Sequence, residues 1–239
     1  DHRDLHKEYR RQRQMCIRDR YQGERNSKSV PAARLYRHQL PLLINDWRKR
    51  WGQGGPENFP FFWVQLPNFK ARQADPNPVT SWAVMRESMQ QVLKQPATGM
   101  AVTIDVGEAR DIHPKNKQDV GKRLAAWALA EFYNQKEAIA TGPMYASHEV
   151  MGSKVLIHFD HAKGLKMKGA GDLAGFAVAG LDKQFYWAKA SISKDGVVEL
   201  SCKDVSKPVA VRYAWGDNPE VNLINNAGLP ATPFRTDDW

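Results

Sequence analysis

Apolar positions fall into two textures along the chain. Between Ser27 and about Ala140 long stretches alternate between helical and strand-like spacing, and after Thr141 only short strand-like runs remain. In "AARLYRHQLPLLINDWRKRWG", Leu35, Leu42, Leu43, Trp47 and Trp51 recur at broadly helical spacing. Gly52 can end that helix, and Pro41 marks a kink or a first turn. "FPFFWVQLPNF" (Phe59 to Phe69) is an aromatic and β-branched run that predicts a buried strand. In "VTSWAVMRESMQQVLKQP", Thr80 or Ser81 can cap a helix whose core stripe is Trp82, Met85, Met89 and Leu93. "MAVTIDV" (Met100 to Val106) predicts a second buried strand, and "NKQDVGKRLAAWALAEFYNQ" a final helix with Val120, Leu124, Trp127, Ala128 and Phe132 inward.

Strands and helices alternating at this spacing predict parallel α/β layering over 21–140. Over 141–239 the runs "SKVLIHF", "LAGFAVAG", "FYWAKASIS", "VVELSC" and "PVAVRYAW" predict an all-β, sandwich-like module, with a hairpin turn at "SKDG". The closing "NLINNAGLPATPFRTDDW" reads as a loop that wraps the module. Residues 1–20 show neither period. DNA that encodes "MCIRDR" resembles a transposase end used in library construction. The segment 1–20 is therefore expected to be a non-native read-through or a disordered tail.

The 239 residues are 42% hydrophobic, a globular composition, and no apolar run has the length of a membrane-spanning helix. The net charge of +9 is interspersed with acids. Nucleic-acid binding calls instead for a clustered basic stripe with interleaved aromatics. Neither nucleic acid nor membrane is expected as a partner, and nothing in the sequence sets an oligomeric state. Cys16 and Cys202 stand outside any metal or disulfide spacing, and Cys202 ends an apolar alternation as a small core residue. No metal or other cofactor is expected. His38, His148, His158 and His161 share no ligand spacing and read as structural or surface residues.

Two blocks could carry chemistry. "DIHP" places Asp111 and His113 just past the carboxyl end of a predicted parallel strand, where α/β enzymes keep their sites. His113 can act as a general base there, with Asp111 fixing its tautomer. By spacing alone the two residues serve equally well to shape the loop and cap the next helix. "YQGERN" offers amides at Gln22 and Asn26, a carboxylate at Glu24, and at Gly23 a close backbone approach, a set able to face a developing oxyanion. Read alone, the same residues make an ordinary polar turn.

Taken in order, "YQGERN", "LPLLINDWRKRWGQG", "PFFWVQLPNF", "DIHPKNKQDVGKRLAAWAL", "FAVAGLDKQFYWAKASI" and "PVAVRYAWGDNPEVNLINNAGLPATPFRTD" resemble the sialate O-acetylesterase family of the SGNH hydrolases. The resemblance implies the C-terminal half of a flavodoxin-like αβα hydrolase domain followed by an all-β module. It implies an O-acetylated sugar as substrate and a Ser-His-Asp mechanism. His113 would be the base and Asp111 its orienting acid. Gln22, Gly23, Glu24 and Asn26 would line the site, Gly23 and Asn26 on the oxyanion side, with Glu24 alternatively a second carboxylate near the imidazole. A periplasmic, secreted or lysosome-like location is implied in the same way. Arg25 stands where the family commonly has Ser. The "GQSN"-type block that holds the family's nucleophile does not occur in the sequence. The expectation is therefore a fragment whose serine lies upstream, inactive alone, with an unpaired sheet edge and poor solubility. The competing expectation is a non-catalytic carbohydrate-binding or structural module.

Overall fold

A computed structural model describes residues 19–51 and 59–239. Cys16, Gly52 and most of the 1–20 segment lie outside the described residues. The chain forms β1 (Asp19–Arg20), α1 (Val30–Arg50), β2 (Phe61–Val64), α2 (Ser81–Gln91), β3 (Thr98–Ala101) and α3 (Lys117–Trp127), which continues as a wider π-turn over Ala128–Phe132. The three strands pair in parallel in the order β1-β2-β3. Strand pairing thus starts two residues before Tyr21. A charged Asp-Arg pair carries no hydrophobic pattern, and the strand is visible in its backbone pairing to β2. Among the described residues nothing pairs with the far side of β1.

Helices cover both faces of this sheet. Trp47 of α1 meets Phe61 edge-on with ring centroids 5.8 Å apart. Phe61 pairs with Thr98, so Gly99, the next residue, points to the opposite face. There the Trp127 ring of α3 lies where a Gly99 side chain would stand: a Cβ would come within 2.4 Å of it. Trp127 Nε1–H also donates to Met100 O at 2.9 Å. In α1 the buried stripe is Ala33, Tyr36, Leu40 and Ile44, whereas Leu35 and Leu42 are 51% and 68% exposed. Of the expected stripe, Leu43, Trp47 and Trp51 pack against the core, and Leu35 and Leu42 give way to the i, i+4 row Tyr36, Leu40 and Ile44. Pro41 sits inside α1, which continues through it. The caps follow local chemistry: Ser29 accepts from Ala32 N, Thr80 from Ala83 N and Asn116 from Asp119 N.

After residue 141 all pairing is antiparallel. One sheet has the order β4 (Met144–Met151), β5 (Lys154–Asp160), β10 (Val198–Ser201), β9 (Lys189–Ile192). A second has β13 (Phe234–Arg235), β11 (Ala210–Tyr213), β7 (Phe176–Ala179), β8 (Phe185–Trp187). A short ribbon joins β6 (Lys166–Met167) to β12 (Leu223–Ile224). The "SKDG" turn forms between β9 and β10, with Gly196 at φ 77°. Phe234 sits between the two large sheets, stacked on Tyr145 at 4.5 Å. Cys202 is half-buried against the core.

One hydrophobic cluster runs from Ala33 and Trp63 through Phe176, Tyr213 and Phe234, so the α/β and β-rich parts share a core. Arg86 of α2 is buried completely at their junction. Its guanidinium donates to Leu66 O (2.8 Å) and Pro67 O (2.7 Å) after β2, and to Gly216 O (2.5 Å) and Asp217 O (2.9 Å) of the β-rich part. Burial pushes Arg86 down to about 9, opposed by the charge of Asp217, and leaves it charged at neutral pH. Around it, Arg235 pairs with Glu87 at 2.8 Å, and Arg212 donates to Asn77 O while pairing with Asp237. Asn77 in turn holds Phe185 through both amide atoms.

Arg86→Lys should therefore lower the unfolding free energy by about 3 kcal/mol, since a single ammonium cannot reach four carbonyls fixed by a planar fork. Urea denaturation measures this, and an unchanged midpoint would contradict it. Gly99→Ala should cost about 1–3 kcal/mol by overpacking against Trp127, read as a lower thermal midpoint.

Candidate active site

The first candidate block follows β1 directly, and the second lies on the segment between β3 and α3. β1 leads into Tyr21-Gln22-Gly23, and Gly23 adopts φ 157° and ψ −16° at the head of a 3-10 turn, Glu24–Lys28. A side chain there would meet Met89 Cε at 2.6 Å and Leu66 Cδ2 at 3.4 Å, so the backbone approaches α2 as only glycine permits. Gly23 O accepts from Asn26 N, Ser27 N and the Ser27 hydroxyl. Ser81 at the start of α2 donates to Ser27 O at 2.6 Å and pins the turn.

Side chains complete a local network. Gln22 Oε1 accepts from Arg20 at 2.7 Å and from the Tyr36 hydroxyl at 3.0 Å. Gln22 Nε2 donates to Asn26 Oδ1 at 2.9 Å, and Asn26 Nδ2 donates to Gln39 Oε1 at 2.9 Å. The Gly23 N–H donates to Glu24 Oε2 at 2.9 Å, so this amide already holds an anionic oxygen. Arg25 is exposed.

The second block begins beyond β3. Asp105 forms a two-pronged pair with Arg123 of α3 at 2.6 and 2.8 Å, and Arg123 also donates to Val102 O. Asn68 Oδ1 accepts the Gly107 N–H at 2.7 Å, and its amide donates to Asn218, which ties this loop to the β-rich part. Farther out, Asp111 Oδ1 accepts the His113 backbone N–H at 2.8 Å. The same oxygen lies 3.6 Å from His113 Nδ1, beyond hydrogen-bond reach, and the imidazole is 83% exposed. Asp111 thus caps its loop here. Lys115 pairs with Glu108 at 3.2 Å across the loop's base.

β1, which leads into the first block, and β3, which precedes the loop carrying the second, flank β2 in the sheet. Lys117, four residues after His113, places its ammonium 5.4 Å from the Tyr21 ring centre and bridges the two blocks. The Tyr21 hydroxyl is pushed well above the usual range by burial and by the Glu24 charge. Gln65, at the end of β2, is fully buried, with Oε1 unpaired among the described residues.

Sequence reasoning missed Arg86, the Asp105–Arg123 pair, Asn68 and Lys117. A signal existed for the charged ones: Asp105 interrupts an apolar strand, and Arg86 and Arg123 fall on the apolar faces of their helices. Three other described histidines make local contacts or none that bear on the site. His148 Nδ1 meets the Tyr145 hydroxyl at 2.7 Å, His158 faces Glu149 at 3.6 Å, and His38 is exposed on α1.

No protein-family model matches the chain. It is 31% identical over 236 residues to the sialate O-acetylesterase of Pongo abelii and 30% identical to that of Homo sapiens, covering 90% of this chain each time. It spans just under half the length of these relatives, 44% of each. Among solved structures, a carbohydrate acetylesterase from Xanthomonas citri superposes with a TM-score of 0.84 at 42% identity, over 92% of this chain and 50% of that one. By these likenesses the chain belongs to the sialate O-acetylesterase family.

Proposed function

We propose that the chain supplies the base and the oxyanion side of a serine-dependent carbohydrate O-acetylesterase, acting on O-acetylated sialic acids or related acetylated sugars. One observation carries the reading. The Gly23 turn follows β1 and the Asp111/His113 loop lies between β3 and α3, in a chain 42% identical over 92% of its length to an acetylesterase. On this reading the three-stranded sheet belongs to a flavodoxin-like αβα hydrolase domain, 21–140, and the two antiparallel sheets to an accessory sandwich, 141–239.

The chemistry proceeds by acyl transfer. A serine oxygen attacks the acetyl carbonyl while His113 Nε2 takes its proton. The Gly23 N–H and the Asn26 amide receive the negative charge that develops on the carbonyl oxygen. The sugar hydroxyl leaves with the proton returned by His113, and water repeats the sequence to release acetate. Each group needs a short adjustment from its present partner. Asp111 turns from the His113 N–H toward Nδ1, a shift of under about 1 Å from the present 3.6 Å. Glu24 yields the Gly23 N–H to the substrate, and Asn26 turns its amide from Gln39. Glu24 thus guards the anion site, which favours this role over a place beside the imidazole. The serine comes from a segment preceding this sequence, in a "GQSN"-type block.

In the protein extended to the length of its relatives, His113→Ala should lower kcat for acetate release by about 10³-fold or more, with KM little changed. Retention of rate in that variant sinks the assignment. Arg25→Ser should leave kcat/KM within about twofold, because Arg25 is exposed. The 239-residue chain alone should release no acetate from O-acetylated sugars, and turnover by it would contradict the proposed origin of the nucleophile.

A further inference from the structure

Two adjoining clefts lie outside the strand-end blocks. The first, about 300 Å³, is bounded by Arg72, Ala74, Gly175, Trp187, Ala188 and Glu220. The second, about 400 Å³, is bounded by Asp172, Ala188, Lys189, Ser191 and Glu199. Ala188 lines both, so they run on along one side of the β-rich part. Neither includes Gln22, Gly23, Asn26, Asp111 or His113.

Trp187 gives the first cleft its character. The residue is 44% exposed, yet its Nε1–H donates to Ala74 O at 2.8 Å. The polar edge is thereby satisfied, and the ring is held before any ligand arrives, which removes an ordering cost from binding. The floor is backbone held by hydrogen bonds. Gly175 at φ 91° leaves no room for a side chain, since a Cβ would meet Glu220 O at 2.5 Å. The Ala188 N–H donates to Phe176 O, and Leu173 bridges to Ala190 across the groove's base. The walls carry both signs of charge. Arg72 pairs with Glu220 at 3.1 Å, Glu199 pairs with Lys154 at 2.7 Å, and Asp172 and Lys189 stand exposed.

A fixed aromatic face beside interspersed donors and acceptors, with charges of the two signs in equal number, suits a neutral ligand that has an apolar face and a hydroxyl rim. A hexopyranose ring has both: axial C–H groups pack on the indole, and equatorial hydroxyls reach the charged walls. An anionic glycan or a nucleic acid finds no excess of positive charge there, because Arg72 and Lys154 are already paired with Glu220 and Glu199. Each cleft has the volume of a small-molecule site, and two in line call for more than one ring. We propose that these clefts form a docking groove for a neutral oligosaccharide, with one sugar stacked on Trp187, separate from the hydrolytic site.

The inference stands without the esterase reading, and its test uses sugars that carry no ester. The chain is titrated by calorimetry with cellotetraose, maltotetraose and β-1,4-galactotetraose, with 3′-sialyllactose as the anionic comparison. Saturable binding of at least one neutral tetrasaccharide is expected. Trp187→Ala should weaken it about tenfold or more, with unchanged circular dichroism. Ala188→Arg, which fills the wall common to both clefts, should do the same and keeps the test open if Trp187→Ala fails to fold. No saturable binding of any neutral tetrasaccharide, equal binding by the folded variants, or tightest binding of 3′-sialyllactose would overturn the proposal.

Discussion

Arg86 carries a full charge into a position without solvent, and the only way to tolerate it is to surround it with acceptors. Leu66 and Pro67 supply two carbonyls from the turn after β2, and Gly216 and Asp217 supply two from the β-rich part. Neither pair suffices alone. If the β-rich part lifted away, the guanidinium would lose two of its four acceptors inside an apolar cluster. The two parts of the chain are consequently held in one arrangement, and the shared core from Trp63 to Phe234 is packed on that condition.

The strap from Leu66 to Asn77 inherits its path from this constraint. Phe69 N–H donates to Asp217 O, Lys70 pairs with Asp217 at 2.6 Å, and Trp82 Nε1–H donates to Pro67 O. The same strap reaches both the candidate site and the proposed groove. Asn68 fixes Gly107 at the root of the Asp111/His113 loop, and Leu66 forms part of the bed on which Gly23 rests. Ala74 holds the Trp187 ring at the proposed sugar groove. The Gly23 turn is rigid at its backbone, whereas His113 is exposed and without a side-chain hydrogen bond to Asp111. On the proposed reading, the turn's backbone is set in advance, while Glu24, Asn26, Asp111 and His113 adjust when substrate binds.

The alternation of parallel strands and helices was legible because buried strands read as apolar runs and helix caps as Ser, Thr or Asn before them. Residues such as Phe61, Trp82, Met85 and Met89 fell in the core as their spacing required. Strand pairing at Asp19–Arg20 was not legible, since an edge pair of two charged residues leaves no side-chain pattern. Leu35 and Leu42 misled because a leucine count does not say which of two overlapping helical rows faces inward. The sequence offered candidate residue types for a site, and the hydrogen bonds these residues make were not legible. Whether Asp111 bonds the backbone N–H or the imidazole is decided by about 1 Å of side-chain rotation, which no sequence spacing encodes. Long-range contacts such as Arg86 to Gly216 span 130 residues and appear in sequence only as a charge on an apolar helix face.

The central claim is that His113 activates a serine lying outside this sequence, beside the Gly23 turn. A fluorophosphonate ester tests it most directly, because it bonds covalently to a serine only when a base has activated it. The extended protein is labelled and the modified peptide identified by mass spectrometry, with and without His113→Ala. The account predicts one labelled serine, outside residues 1–239, with labelling abolished in the variant. A labelled serine within this sequence, or labelling that survives the loss of His113, would contradict it.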